Sequence, residues 1–310
     1  MKSTLKILVA ASLLAFTAAC SSSDPVPDEA PVADMPDELA FEEEQEPEVE
    51  VEQQADPRET ARAALQAAAD GAHRSEEDRA RNQYRNPVET LDFFGFEPGQ
   101  TVVEIWPGRG WYTGVLAPAL GEHGTLRVGI FAIDEDDPED YRTMITGEFL
   151  EWVEAHSEAL GNIEMGTLDP PEVMDLGEPA TADLVVSFRN VHNMYNNGTL
   201  DDVLVAVHTV LKPGGVFGVV QHRAPEGADP AESSPKGYLS EQFVIETIEA
   251  AGFSLENSAE INANPADTAD HPDGVWSLPP SLRGGEDTAE HFRAIGESDR
   301  MTLRFVKTAE

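Results

Sequence analysis

The chain has 310 residues, with 59 Asp and Glu against 20 Lys and Arg and a net charge of −39 at neutral pH. A surface this acidic repels phosphate backbones and anionic lipid headgroups, which excludes nucleic acid as a partner and leaves membrane attachment to a lipid anchor. The length fits one α/β domain with appendages.

Met1, Lys2 and Lys6 precede an apolar run over residues 7–19 that is too short to span a bilayer permanently, the pattern of a secretory signal. Thr17-Ala18-Ala19-Cys20 resembles the bacterial lipobox, which makes Cys20 the expected lipidation site. An ordinary signal peptide cleaved near Ala19 is the other reading. Cys20 is the only cysteine, so the chain forms no internal disulfide. Ser21 behind it resembles lipoproteins sorted to the outer membrane, so the expected location is exported, lipid-anchored and facing the periplasm. Residues 21–57 hold fourteen Asp or Glu, several prolines and no Lys or Arg. Such a segment buries too little apolar surface to order itself and reads as a tether. The expected division is a signal over 1–20, a tether over 21–57 and one folded domain over 58–310.

Residues 58–70 are Ala-rich and helical in pattern, and Ser75 caps a second helix whose first turn carries Glu76, Glu77 and Asp78. Asn86-Pro87 breaks it and starts a short helix through Leu91 and Phe94 that stops at Gly95. Residues 58–95 thus form a helical segment ahead of the first strand, read as a lid. From there strands are expected over 101–106, 125–133, 162–167, 182–188, 215–221, 253–261 and 301–306. Helices are expected over 112–120, about 140–160, 200–211 and 240–251. This alternation predicts an α/β fold with a mainly parallel sheet and helices on both faces.

The chemistry gathers at the ends of these strands. Thr101 to Gly110 reads T-V-V-E-I-W-P-G-R-G, a β-branched run that ends in a carboxylate and breaks into a Pro/Gly loop before a helix. Gly108 and Gly110 let backbone approach a ligand, and Glu104 is a candidate acceptor for ribose hydroxyls. Capping of the next helix is the other role open to Glu104. Leu211-Lys212-Pro213-Gly214-Gly215 ends a helix and turns tightly into a strand.

With these motifs and the strand at 182–188, the chain resembles the class I S-adenosylmethionine-dependent methyltransferases over about residues 90–306. More narrowly, E-I-W-P-G-R-G-W-Y-T, F-R-N-V-H-N and G-E-S-D-R-M-T-L-R-F-V-K resemble a family of exported bacterial proteins known only as predicted methyltransferases. The resemblance implies a Rossmann-like seven-stranded sheet with the last strand antiparallel, and S-adenosylmethionine as cofactor across the carboxyl ends of the first strands. It places Glu104, Trp106, Pro107, Gly108 and Gly110 around the cofactor, Trp106 at the position of the family's first loop glycine. Asp169 suits the acid that contacts adenine, with a plain Asx-turn as its other reading. Ile130 or Phe131 stands where the family carries a second-strand acid.

Arg189-Asn190-Val191-His192-Asn193 follows the fourth expected strand at the edge where such sheets bind ligands. His192 is the candidate base there, or else a residue that orders the loop. His222 ends the fifth strand and is expected in the same pocket as a second catalytic candidate. Arg189, Asn190, His271 and Trp276 are the candidate substrate contacts, the last two in a long connection over 262–299 that is a lid or a structural clasp. No Cys/His cluster has zinc spacing, and a metal site here would have to bring His192, His222 and His271 together. Two functions follow: methyl transfer to a small molecule, or non-catalytic binding of a small ligand by an exported protein of the same fold. Neither reading fixes an oligomeric state.

Overall fold

The computed structural model describes residues 56–308. The signal segment, Cys20 and the 21–55 part of the tether lie outside the described residues. The described strands are β1 (Thr101–Ile105), β2 (Thr125–Ile130), β3 (Ile163–Asp169), β4 (Val173–Met174), β5 (Ala182–Phe188), β6 (Leu211–Ala224), β7 (Leu239–Ser240), β8 (Phe253–Ala259) and β9 (Arg300–Lys307). They form one sheet in the order β4-β3-β2-β1-β5-β6-β9-β8, with β7 paired to the far end of β6. β1 pairs in parallel with β2 and β5, and β9 runs antiparallel to both β6 and β8. The seven long strands therefore have the arrangement expected, last strand included, and the two-residue β4 and β7 raise the count to nine.

Both faces are covered. On one lie α1 (Pro57–Ala69), α4 (Pro87–Phe94), α5 (Thr113–Leu120), α6 (Tyr141–Ala155) and α7 (Ser157–Leu160), with the short α2 (Glu76–Ala80) and α3 (Asn82–Arg85) between α1 and α4 in the chain. Leu65, Leu91, Phe94, Leu116 and Phe149 from these helices pack on Val102, Leu126 and Val220 of the sheet. On the other face α8 (Val191–Asn196), α9 (Leu200–Val210), the short α10 (Pro230–Ser233) and α11 (Glu241–Ala250) follow. There Val203, Val207, Val244 and Ile248 meet Val103, Ile105, Val185 and Val219. The alternation of Val102 and Val103 between the two cores is the period of two expected of a strand buried on both sides.

Local chemistry sets the helix ends. Asp56, Ser75, Asp140 and Ser240 each accept a hydrogen bond from a first-turn amide of α1, α2, α6 and α11. Asn86 takes φ 40° before Pro87, and Gly95 takes φ 80° after Phe94, so α4 is bounded by two left-handed residues.

Three expectations change. α1 packs on α5, and α4 packs on α1 and the sheet, so these helices of the 58–95 segment belong to the covering layer and do not form a lid. Leu211 already pairs with Ala182 while Val216 pairs with Leu184, so Lys-Pro-Gly-Gly is a bulge inside β6 rather than a turn before it. The 262–299 connection contains a 3-10 turn (Gly274–Ser277) and α12 (Glu286–Ile295).

Candidate functional site

The loop from β1 to α5 sits at the carboxyl edge of the sheet, beside the ends of β2 and β5. Trp106 takes φ 46°, a left-handed conformation that is costly for a bulky side chain. Three contacts hold it there. Its backbone N–H donates to Gly129 O at 2.9 Å, its Nε1–H donates to Leu168 O at 2.8 Å, and its ring stacks on Phe131 at 4.7 Å. Gly108 has φ 61° with no atom within 4 Å of where a Cβ would stand, whereas a Cβ on Gly110 would lie 2.6 Å from the Trp152 ring. Gly108 thus faces open space, and Gly110 is required by packing.

Trp106, Pro107 and Gly108 line a cavity with Ile130, Phe131, Tyr141, Asn190 and Asn193. It holds about 80 Å³, well below the 300 Å³ or more typical of a small-molecule site. Its walls are mainly apolar and aromatic. The amides of Asn190 and Asn193 are among its few polar groups, and Asn190 Nδ2 donates to Trp106 O at 3.1 Å, tying β5 to the loop.

Glu104 is placed elsewhere. It is 2% exposed, on the face of β1 shared with Val102, and its Oε2 accepts from Thr113 Oγ1 at 2.6 Å. It therefore fastens the start of α5 beneath the loop and is not presented to a ribose. Burial pushes its carboxyl up to about 7 despite the Thr113 bond. Asp169 is likewise engaged, accepting from Arg142 Nη1 at 2.8 Å and from Ala132 N at 3.3 Å. It fixes the chain beyond β2 to the end of β3.

The other candidates divide into two groups. His192, 3% exposed, has its ring 5.7 Å from that of His222 and 6.0 Å from Trp276, edge-on. Gln221 Nε2 donates to Gly237 O at 2.9 Å and to His192 Nδ1 at 3.2 Å, an assignment that leaves the proton of the neutral His192 ring on Nε2. Burial lowers His192 to about 4, and burial with the nearby positive charges drives His222 well below 6.5. His222 Nδ1 is 2.5 Å from Ser298 Oγ. Both rings are neutral at pH 7 and weakly basic, which favours positioning over proton abstraction. His271 stays apart. Its Nε2 is 2.9 Å from Asp267 Oδ1, and Asp267 also accepts from Tyr238 OH and the Asp299 amide. This segment acts as a clasp at His271 and reaches the site through Trp276. Among the described residues, no group of three His, Cys, Asp or Glu is placed to hold a metal ion. No described helix is long and apolar enough to cross a membrane.

Sequence reading missed a buried arginine cluster on the same edge. Arg81, Arg85 and Arg300 all pair with Glu297, at 2.7, 3.1 and 3.3 Å. Arg189, with φ 64° directly after β5, forms no ion pair among the described residues, although the Glu297 charge acts on it. Its guanidinium is lowered to about 10, chiefly by burial, and remains protonated at neutral pH. The basic residues come from positions more than 200 apart in the chain. The available signal was four arginines near predicted strand and helix ends in a chain poor in them.

No protein-family model matches the chain, and no curated protein matches it. Solved structures do. An S-adenosylmethionine-dependent methyltransferase from Aquifex aeolicus is 16% identical with a TM-score of 0.49, the match covering 80% of this chain and 98% of that one. The (4+2)-cyclase SpnF is 14% identical with a TM-score of 0.50, covering 81% and 94%. An arsenic(III) S-adenosylmethionine methyltransferase from Chlamydomonas reinhardtii is 15% identical with a TM-score of 0.48, covering 79% and 73%. The likeness is one of fold. It accords with the strand order, and the chemistry must be argued from the site itself.

Proposed function

We propose that the domain binds S-adenosylmethionine across the carboxyl ends of β1, β2 and β5 and transfers its methyl group to a small molecule, held at a membrane by lipid on Cys20. The observation that carries this reading is the β1 loop, where Gly108 has a left-handed backbone and open space on its ligand side at the edge where α/β sheets bind nucleotides. The residues present fit the group in kind. The Phe131 ring, now covered by Trp106, suits an adenine face or a sulfonium charge, and the Asn190 and Asn193 amides supply polar contacts where no carboxylate ends β2. When bound, the cofactor supplies an electrophilic methyl group. The chain's own residues then align the acceptor and exclude water, which is most of what in-line displacement needs. His192, held by Gln221, orients groups at that end of the site. Because the cavity holds about 80 Å³, binding requires the Trp106 indole to swing aside.

The second reading is a non-catalytic binding protein. It is favoured by Trp106 itself, which fills the loop position with a ring bonded on one edge and stacked on one face.

Ultraviolet cross-linking of methyl-labelled S-adenosylmethionine to the mature chain in membrane fractions tests the proposal. Label is expected on peptides carrying Trp106 or Phe131, to be competed away by unlabelled cofactor, and absent from the soluble fraction. Uncompeted label, or label elsewhere in the chain, contradicts cofactor binding at this edge; competed label in the soluble fraction alone contradicts the anchor.

A further inference from the structure

Beside the cavity, the arginine cluster holds more positive charge than its partners neutralise. Arg81, Arg85 and Arg300 share one carboxylate, Glu297, and Arg189 adds a fourth guanidinium that feels the same charge but forms no ion pair among the described residues. Arg85 and Arg300 are each 2% exposed. Three of the cluster's donors are orphaned: Arg81 Nη2, Arg85 Nη1 and Arg189 Nε are buried with no hydrogen-bond partner among the described residues. The Trp111 ring lies 4.6 Å below the Arg85 guanidinium and offsets part of its charge, yet a π-face does not satisfy an in-plane N–H. Buried guanidinium groups keep their protons, so a fold that retains them unpaired bears a large desolvation cost unless an anion completes the set.

The placement is that of a ligand site. Arg189 follows the last residue of β5, and Arg300 faces His222 in register between β9 and β6, at the edge where open α/β sheets bind ligands. Arg189 is held in a left-handed conformation by the hydrogen bond its backbone N–H donates to Val220 O at 2.6 Å, the kind of backbone strain that accumulates at functional positions. Its neighbour Asn190 lines the cavity described above. Positive charge here also adds to burial in keeping His192 and His222 neutral. In a chain of net charge −39 with only 20 basic residues, four converge on this point.

We propose that Arg85 and Arg189 form a binding site for an oxyanion, the carboxylate or phosphate of a small molecule, at the carboxyl edge of β5. Guanidinium forks match both groups in charge and geometry. The site rests on no assumption about methyl transfer. If transfer occurs next door, the acceptor is an acid anchored here.

The test compares thermal unfolding and calorimetric titration of the full chain in sodium phosphate, in sodium acetate and in sodium chloride at equal ionic strength. Phosphate or acetate is expected to raise the melting temperature by about 3 °C or more over chloride. The stronger of the two identifies the headgroup. Arg189→Asn, which tolerates the left-handed backbone, is expected to weaken that anion's affinity at least tenfold. Arg58→Gln, an exposed arginine paired with Asp92, is expected to leave it unchanged. Equal melting temperatures in all three salts overturn the proposal, whether or not the variant folds. So does stabilisation that survives Arg189→Asn. A chain that binds phosphate or acetate and ignores S-adenosylmethionine keeps this site and loses the methyltransferase reading; the reverse result does the opposite.

Discussion

Glu297→Gln is expected to cost the fold about 3–5 kcal/mol at pH 7, the loss typical of breaking a buried ion pair from one side. The carboxylate is 3% exposed and accepts from Arg81, Arg85 and Arg300, joining α2, α3 and the entry to β9. An amide keeps the shape but leaves the buried guanidinium groups with no anion. Burial alone would raise this carboxyl; Arg85, Arg300, Arg81 and Arg189 outweigh it and hold the group at about 2. A depressed pKa means the contribution is present above about pH 4.5 and is lost as the pH falls toward 2. Urea unfolding of wild type and variant should therefore differ most at neutral pH and converge near pH 2. A difference under about 1 kcal/mol at pH 7 would show that the arginines need no protein carboxylate.

Glu104→Gln is expected to do the reverse and stabilise the domain above neutrality. Burial raises this carboxyl to about 7, and among the described residues Thr113 is the hydrogen-bond partner of its side chain. The sign follows from the raised value: the favourable contribution is complete below about pH 4.5 and is lost as the pH rises through 7, when a bare carboxylate must be buried. The span corresponds to about 3 kcal/mol. The glutamine still accepts from Thr113 and carries no charge, but its new amide protons lack a partner, which costs about 1 kcal/mol. A net gain of about 2 kcal/mol at pH 8 and a small loss at pH 5 is the expected result of urea titrations. Parallel stabilities for the two proteins at both pH values would mean Glu104 is solvated or paired in solution.

The fold was largely legible. The run 182–188 coincides with β5, and the cap at Ser75 and the stop at Gly95 stand where their chemistry puts them. What escaped were elements too short or too polar to show a period: the two-residue β4 and β7, and α12 inside a connection read as a loop. The site was legible by location more than by role. Arg189, Asn190, His192 and His222 do gather at one edge, because strands 5 and 6 end there. Of the two roles open to Glu104, the structure takes the one at the start of α5, and period two already puts it on the same side as Val102, under α5 rather than over the loop. His192 reads as a base from its ordinary pKa, and only burial, which has no local signature, shows it to be a weak one. The Glu297 cluster joins residues more than 200 apart, so nothing in either neighbourhood announces it.

On the proposed function, the loop at Gly108 receives a nucleotide-type ligand and Trp106 gates it. Calorimetric titration of the full chain with S-adenosylmethionine and its demethylated product measures this directly. Micromolar binding of either compound is predicted, tightened about tenfold or more by Trp106→Gly, which opens the cavity and suits φ 46°, and abolished by Gly108→Val, whose side chain would enter the open space. No heat of binding in wild type or in a folded Trp106→Gly chain, or affinity untouched by Gly108→Val, would contradict it.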